Sequence, residues 1–122
     1  MLFLIDDGKI LLFKRLNTWF GNNEFSVPGG MVDTGEEPET AVIREIKEEV
    51  DISVETTNLT LFHTGSSHMN DRDFESYYYT AQTWTGQPKN LEPHRHTELG
   101  WYDLNDLPAN TMAIVKEMIH KL

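Results

Sequence analysis

The sequence predicts an α/β (α+β) fold, in which helices cover a mixed β-sheet, for a single domain spanning residues 1–122. Apolar periodicity and turn residues give the element order β-β-β-α-β-β-β-α, which is typical of such a layered domain. A length of 122 residues is that of one ordinary domain, and a hydrophobic content of 39% is enough for a buried core. No linker, internal repeat or low-complexity stretch divides the chain.

The first half of the chain contains three predicted strands and a helix. The strands cover residues 2–5, 10–15 and 25–27. The first two flank a tight turn with the pair Asp7-Gly8, and the third ends at Pro28-Gly29-Gly30. Pro38 suits the first turn of a helix, and the helical pattern continues to Val50. The apolar stripe of this helix is formed by Val42, Ile43, Ile46 and Val50.

The second half of the chain contains three further predicted strands and a closing amphipathic helix. The strands are predicted at residues 59–64, 74–85 and 99–103, and the helix at residues 110–122. The second of these strands ends at Trp84-Thr85-Gly86-Gln87-Pro88, where glycine and proline favour a turn.

The composition excludes several classes of protein. Ten basic and 20 acidic residues give a formal charge of −10, so the chain lacks a basic footprint for a nucleic acid polymer or a membrane surface. No apolar run approaches the ~20 residues of a membrane span. Cysteine is absent, which excludes disulfides, thiolate metal sites and a cysteine nucleophile. A reducing cytoplasm is the expected location.

The acidic residues are concentrated in and around the first helix. Residues 33–55 contain nine acidic and two basic residues. Glu45, Glu48 and Glu49 fall within an arc of about 100° on the helix, outside which Arg44 and Lys47 lie. Like charges at this spacing destabilise a helix by roughly 0.2–0.5 kcal/mol per pair. Two interpretations remain open from periodicity: a solvated helix face, or a site for hard divalent cations such as Mg²⁺ or Mn²⁺.

The spacing of these residues forms a motif. Gly30, Glu36 and the run Arg44–Ile52 follow the pattern G-x5-E-x7-R-E-U-x-E-E-x-G-U, in which U is a bulky aliphatic residue. Residues 30–52 thus resemble the Nudix box at every defined position but one, since Asp51 stands where the pattern has glycine. We expect this change to cost about 1 kcal/mol of stability, because the helix end favours a left-handed residue.

Further landmarks extend the resemblance over nearly the whole chain. They are Lys14-Arg15, Pro28-Gly29-Gly30, Trp84-Thr85-Gly86-Gln87-Pro88, Trp101-Tyr102-Asp103-Leu104 and Leu107-Pro108. Within the Nudix family the chain is most similar to the compact MutT-type enzymes. The resemblance implies a Nudix-type α/β/α sandwich with a central mixed β-sheet. It also implies a hydrolase that acts on phosphoanhydride bonds with Mg²⁺ or Mn²⁺ as cofactor.

The implied reaction is cleavage of the pyrophosphate linkage of nucleoside diphosphate derivatives. The expected substrates are (deoxy)nucleoside triphosphates, oxidised ones included, which would give the monophosphate and pyrophosphate. Alternatives are the hydrolysis of ADP-ribose, CoA or dinucleoside polyphosphates, and a non-catalytic nucleotide-binding regulator. The stretch Thr64–Asn70 lacks the proline or tyrosine that marks some of these other hydrolases. The three intact glutamates argue against a non-catalytic regulator.

The resemblance also assigns roles to individual residues. The implied metal ligands are Gly29 (through its carbonyl), Glu45, Glu48, Glu49 and Glu92. Arg44 would orient the carboxylates, supported by Glu36, and with the four glutamates completes the expected catalytic set. Glu92 is the preferred general base, and Glu98 is its competitor.

Substrate contacts are expected from Arg15, Arg72, Asn110, Phe25 and Trp101. The arginines would bind phosphates, the asparagine a purine edge and the aromatic rings a base. Each has a simpler alternative: a strand-end charge, a helix cap or a core side chain. The segment His94-Arg95-His96 is interpreted as a loop rather than a zinc site. The expected partner is a nucleotide, with the chain a monomer or homodimer.

Overall fold

The chain folds into seven β-strands and two α-helices in a computed structural model, which describes residues 1–122 apart from the Met69 side chain. The strands are β1 (Leu2–Phe3), β2 (Ile5–Asp6), β3 (Lys9–Arg15), β4 (Phe25–Ser26), β5 (Leu59–Met69), β6 (Arg72–Ala81) and β7 (His96–Asp103). The helices are α1 (Pro38–Val50) and α2 (Ala113–Ile119), and Thr56–Asn58 form one 3₁₀ turn. In the described part of the chain, neither helix has the length and apolarity needed to span a bilayer.

The strands form two sheets. In the first, β6 lies between β1 and β5, parallel to β1 and antiparallel to β5. In the second, β3 is central: β7 pairs along one edge, and β2 and β4 share the other. The chain crosses from one sheet to the other at Leu4, whose carbonyl accepts a hydrogen bond from Leu11 N–H at 3.0 Å. The first sheet is therefore mixed, as the sequence predicted, and all strand pairs of the second are antiparallel.

Both faces of the sheets are buried, one under each helix. Successive residues of β3 alternate between the two cores: Leu11 and Phe13 pack with α1, whereas Ile10 and Leu12 pack with α2. The α1 side also contains Val42, Ile46, Val50, Ile52 and Val54, and the α2 side contains Phe25, Val27, Met112, Val115 and Met118. A strand covered on both faces is apolar throughout, which explains the continuous run in β3. The predicted α/β/α sandwich is confirmed.

Several strand boundaries differ from the prediction. The expected first strand is two short ones, because β1 pairs with β6 and β2 with β3. The β5–β6 hairpin is longer than predicted at its tip, where Asn70 and Asp71 both have positive φ (51° and 58°) and form a two-residue turn. At its other end β6 stops at Ala81, short of the expected Thr85. β7 begins at His96 instead of Leu99.

The last helix is also shorter than predicted, at Ala113–Ile119 instead of 110–122. The segment before it is held against β4 instead: Phe25 N–H donates to Asn110 O at 3.0 Å, and Met112 N–H donates to Phe25 O at 2.9 Å, while Asn110 itself lies in a turn. Met112 is the N-cap residue, so Asn110 does not cap α2.

Asp51 ends α1 in the left-handed conformation, with φ 60° and ψ 35°. Its carboxylate accepts a hydrogen bond from Lys47 Nζ at 2.9 Å, in an exposed pair. We expect Asp51→Gly to raise the free energy of unfolding by about 0.5–1 kcal/mol, because glycine adopts this conformation without strain and the lost ion pair is weak. Urea denaturation measures the change. Lys47→Met is the control that removes only the ion pair, and an Asp51→Gly variant no more stable than this control would contradict the expectation.

Candidate active site

Three carboxylates project from the last two turns of α1. The helix is oriented by Ile46 and Val50, which are fully buried in the core. Glu49 is 9% exposed and lies deepest, whereas the side chain of Glu45 is 20% exposed and that of Glu48 is 51% exposed. The burial of the helix thus presents one carboxylate inward and two toward solvent.

Glu49 is the most perturbed of these carboxylates. The Gly29 N–H donates a hydrogen bond to Glu49 Oε1 at 2.8 Å. Burial raises the pKa of Glu49 to about 8; the Gly29 hydrogen bond opposes the rise, and the charges of Glu45 and Glu92 add to it. Burial also raises the pKa of Glu45. Near neutral pH this site therefore favours either a proton or a cation beside Glu49.

A loop brings Glu92 to the same place. Lys89 N–H donates to Val50 O at 2.9 Å and Leu91 N–H donates to Glu49 O at 3.0 Å, so the loop is hydrogen-bonded to the end of α1. One oxygen of Glu92 and one of Glu49 lie within 4.8 Å of each other. Two elements far apart in sequence therefore contribute carboxylates to one cluster.

Arg44 links most of the surrounding carboxylates. Its Nε and Nη2 donate to the two oxygens of Glu36 at 2.8 and 3.0 Å, a bidentate pair that lowers the pKa of Glu36 to about 2. Its Nη1 donates to Glu45 at 3.0 Å and to Glu48 at 3.3 Å. The expectation that Arg44 lies outside the acidic arc is wrong for the guanidinium, because the long side chain reaches across to both glutamates.

Gly30 lies directly against Glu45. A Cβ atom at this position would be 2.6 Å from the carboxyl carbon of Glu45, which Arg44 holds in place. We expect Gly30→Ala to displace this carboxylate and weaken divalent-metal affinity about 10- to 100-fold, with little change in stability. Calorimetric titration with Mn²⁺ checks the affinity. Gly100→Ala is a control, because the added methyl group would meet only the Tyr102 ring at 3.8 Å, and equal affinities of the two variants would contradict the expectation.

His96 belongs to this site, although the sequence analysis interpreted it as a loop residue. Its side chain is 2% exposed, and its ring lies flat on Phe13, with centroids 4.1 Å apart. A ring nitrogen of His96 lies within 4.8 Å of carboxylate oxygens of both Glu49 and Glu92. Burial lowers the pKa of His96 to about 4. One available signal was the spacing of four from Glu92, which places both side chains on one side of a single turn.

Of the residues expected to contact the substrate, Arg15 lies beside a cleft. Arg15 is half-buried, its Nη2 donates to Thr18 at 3.4 Å, and its Nε has no hydrogen-bond partner among the described residues. It lines a cleft of about 360 Å³ between the first sheet and α2. Burial lowers the pKa of Arg15, while the charge of Glu49 acts to raise it. Arg15 therefore lies between this cleft and the carboxylate cluster.

Two of the other expected contacts pack within the protein. Phe25 is 6% exposed and its ring contacts Tyr102, because β4 directs the ring into the α2-side core; its stacking on a base stays a prediction. Trp101 is partly buried on the α1 side, where it stacks on Trp84 with centroids 5.9 Å apart.

The remaining polar residues lie at the surface. Arg72 is exposed at the tip of the β5–β6 hairpin. Asn110 is exposed, and its Nδ2 donates to Asn23 O at 2.6 Å. Glu98, the alternative general base, forms an ion pair with Lys14 at 2.8 Å. Of the two base candidates, Glu92 is the one that adjoins Glu49.

Comparison with known proteins agrees with this geometry. The model of the NUDIX domain matches residues 1–122. The chain is 30% identical to an 8-oxo-dGTP diphosphatase of Escherichia coli, over 91% of this chain and 87% of that protein. It is 34% identical to an ADP-ribose pyrophosphatase of Methanocaldococcus jannaschii, over 84% of this chain and 59% of that protein. The crystal structure of a MutT NUDIX hydrolase from Burkholderia pseudomallei superposes with a TM-score of 0.89 and 33% identity, covering 99% of this chain and 93% of the other.

An acidic cluster at the end of a box helix, an α/β/α sandwich and these matches define a pyrophosphohydrolase. The chain belongs to the Nudix family.

Proposed function

We propose that this enzyme is a Mg²⁺- or Mn²⁺-dependent pyrophosphohydrolase of (deoxy)nucleoside triphosphates, oxidised ones included, which releases the monophosphate and pyrophosphate. The observation that carries the proposal is the convergence of carboxylates from α1 and from the loop at residues 89–95 around the buried Glu49. The similarity to an 8-oxo-dGTP diphosphatase over most of both chains supports this substrate class.

The donor set suits a hard divalent cation. Glu45, Glu48, Glu49 and Glu92 offer carboxylate oxygens, and the carbonyl of Gly29 would add another; such all-oxygen sets are typical of Mg²⁺ and Mn²⁺ sites. Burial and the charges of Glu45 and Glu92 raise the pKa of Glu49, and a bound cation would favour its ionised form. A bound divalent cation supplies positive charge that stabilises phosphate oxygens and makes water more acidic.

The protein residues have separate tasks in this proposal. Arg44 fixes the orientations of Glu45 and Glu48, so that these carboxylates are pre-organised. Glu92 accepts a proton from the attacking water, for which an ordinary carboxylate is sufficient near a cation. Gly29 N–H fixes one oxygen of Glu49 and leaves the other free to coordinate.

Arg15 connects this chemistry to the nucleotide. The cleft beside it is about 360 Å³, within the range of small-molecule sites, and has both apolar and polar lining. Its lining includes Arg15, Phe20, His63, Ser66, Tyr78 and Met112. The guanidinium, with an unpartnered Nε, suits a phosphate or a base edge at the mouth of this cleft.

A substrate panel with Mg²⁺ tests the proposal. We expect (deoxy)nucleoside triphosphates, including 8-oxo-dGTP, to be hydrolysed with release of pyrophosphate and no orthophosphate. ADP-ribose, dinucleoside polyphosphates and CoA form the second arm, since one relative is an ADP-ribose pyrophosphatase. Faster hydrolysis of these compounds than of the triphosphates would contradict the proposed substrate class. Metal binding without any hydrolysis would indicate a non-catalytic binder.

A further inference from the structure

His96 is a buried polar side chain whose ring nitrogens have no partner. Both Nδ1 and Nε2 are enclosed and lack hydrogen bonds to any described residue. The flat contact with Phe13 accounts for the ring plane but satisfies neither nitrogen. Buried nitrogen atoms without a hydrogen bond destabilise a folded protein, so an unpartnered pair calls for a ligand.

The ligand position is defined by two carboxylates. One ring nitrogen of His96 and one oxygen each of Glu49 and Glu92 lie within 4.8 Å of one another, and His96 Nε2 is 3.9 Å from Glu92 Oε1. Two ligands at ~2.1 Å from one metal ion are separated by at most about 4.2 Å. The 3.9 Å separation between His96 Nε2 and Glu92 Oε1 therefore fits two ligands of one ion. A small rotation of the carboxylates would bring the remaining ligand atoms to the same spacing.

The backbone keeps Glu92 and His96 together. His96 N–H donates to Glu92 O at 3.1 Å. The side chain of Asn90 bonds to both residues, accepting from Glu92 N–H at 3.0 Å and donating to His96 O at 2.7 Å. Since Leu91 N–H also donates to Glu49 O, the backbones of all three residues are linked by hydrogen bonds of one segment.

We propose that His96 supplies a nitrogen ligand, together with Glu49 and Glu92, to a divalent transition-metal ion such as Zn²⁺ or Co²⁺. Imidazole favours these ions, whereas Mg²⁺ favours oxygen ligands, so this corner of the site discriminates between metals that the other glutamates bind alike. The inference rests on the proposed function in that Glu49 and Glu92 are metal ligands there as well.

Cobalt titration of the full chain tests the proposal. Metal-free wild type, His96→Gln and His94→Gln are titrated with Co²⁺ and, separately, with Mg²⁺, following heat and the visible absorption of cobalt. We expect His96→Gln to weaken Co²⁺ binding about tenfold or more and to change the cobalt spectrum, while Mg²⁺ affinity changes less than about twofold. His94→Gln removes an exposed imidazole from the same loop and should retain wild-type Co²⁺ affinity. An unchanged Co²⁺ affinity in folded His96→Gln overturns the proposal.

A measurement on the wild type alone covers the case in which His96→Gln does not fold. In ¹⁵N-labelled protein, Zn²⁺ should shift one ring nitrogen of His96 in long-range ¹H–¹⁵N spectra, and ring nitrogens unaffected by saturating Zn²⁺ overturn the proposal. Nucleotide hydrolysis with Mg²⁺ is assayed on the same wild-type sample. Loss of the proposed function would be seen as absent hydrolysis, whereas failure of the His96 proposal leaves hydrolysis intact.

Discussion

Replacing Glu49 with Gln is expected to lower kcat for nucleotide hydrolysis by about 10²–10³-fold. The amide has nearly the same shape and can still accept the Gly29 hydrogen bond, but it removes the deepest negative charge of the cluster. Bound metal contributes several kcal/mol to the stabilisation of the transition state, and each 1.36 kcal/mol corresponds to about a factor of ten in rate. Steady-state kinetics with saturating Mg²⁺ and a preferred triphosphate measures the effect.

Glu55→Gln is the matched control for this experiment. It makes the same change of charge at an exposed residue whose side chain does not cap the following 3₁₀ turn, so we expect wild-type kcat. Wild-type turnover in Glu49→Gln would contradict the assignment of Glu49 as a metal ligand. A loss of the same size in both variants would show that the overall charge, rather than this position, controls the rate.

The second large effect is expected on the stability of the metal-free protein. The pKa of Glu49 is about 8 in the folded chain against a reference value of 4.5, so between these pH values the folded state binds more protons than the unfolded state. Its contribution to stability therefore falls as the pH rises. Glu49→Gln removes this loss. We expect the difference in free energy of unfolding, Glu49→Gln minus wild type, to increase by about 2–4 kcal/mol from pH 5 to pH 8.

The free energy of unfolding is compared between wild type and Glu49→Gln because the contributions of other groups to stability change with pH in the opposite direction. Burial lowers the pKa of the Met1 amino group to about 6 and that of His96 to about 4, and each contribution grows with pH. The charge of Glu49 raises the pKa of Met1, so the Met1 contribution differs between the two proteins, whereas that of His96 largely cancels in the difference. Urea denaturation in EDTA at pH 5, 6.5 and 8 measures it. A difference that does not vary with pH would mean that Glu49 ionises normally in the folded chain.

The box helix was predictable from the sequence because its signals are local. Pro38 at the first turn and the apolar stripe ending at Val50 define a helix that the structure has at the same bounds. The length of β3 was also clear, since its residues are apolar on both faces. The β5–β6 hairpin was underestimated because its outer residues are polar and exposed, and only the turn at Asn70-Asp71 marked its tip.

Tertiary contacts determined what the sequence analysis missed. The strand at residues 2–5 divides because its halves find partners in different sheets, which no local pattern records. Asn110 resembles a helix cap in sequence, yet hydrogen bonds between its segment and Phe25 hold it in a turn before the helix. His96 joined the site through its backbone hydrogen bond to Glu92, through stacking on Phe13 and through the Asn90 hydrogen bond to its carbonyl.

The acidity of the chain has a specific location and consequence. A formal charge of −10 opposes the approach of a polyphosphate, and the carboxylates around Glu49 concentrate that repulsion where the reaction is proposed to occur. We infer that divalent cations held by these carboxylates reverse the repulsion, so that the protein recruits its anionic substrate through metal.

Calorimetry tests directly whether metal recruits the substrate. Binding of a non-hydrolysable α,β-methylene nucleoside triphosphate is measured with Mg²⁺ and then with EDTA. We expect binding with Mg²⁺ and an affinity at least about 100-fold lower in EDTA, which corresponds to a loss of about 2.7 kcal/mol. Equal affinity under both conditions would contradict recruitment through metal, because basic residues such as Arg15 would then suffice to hold the phosphates.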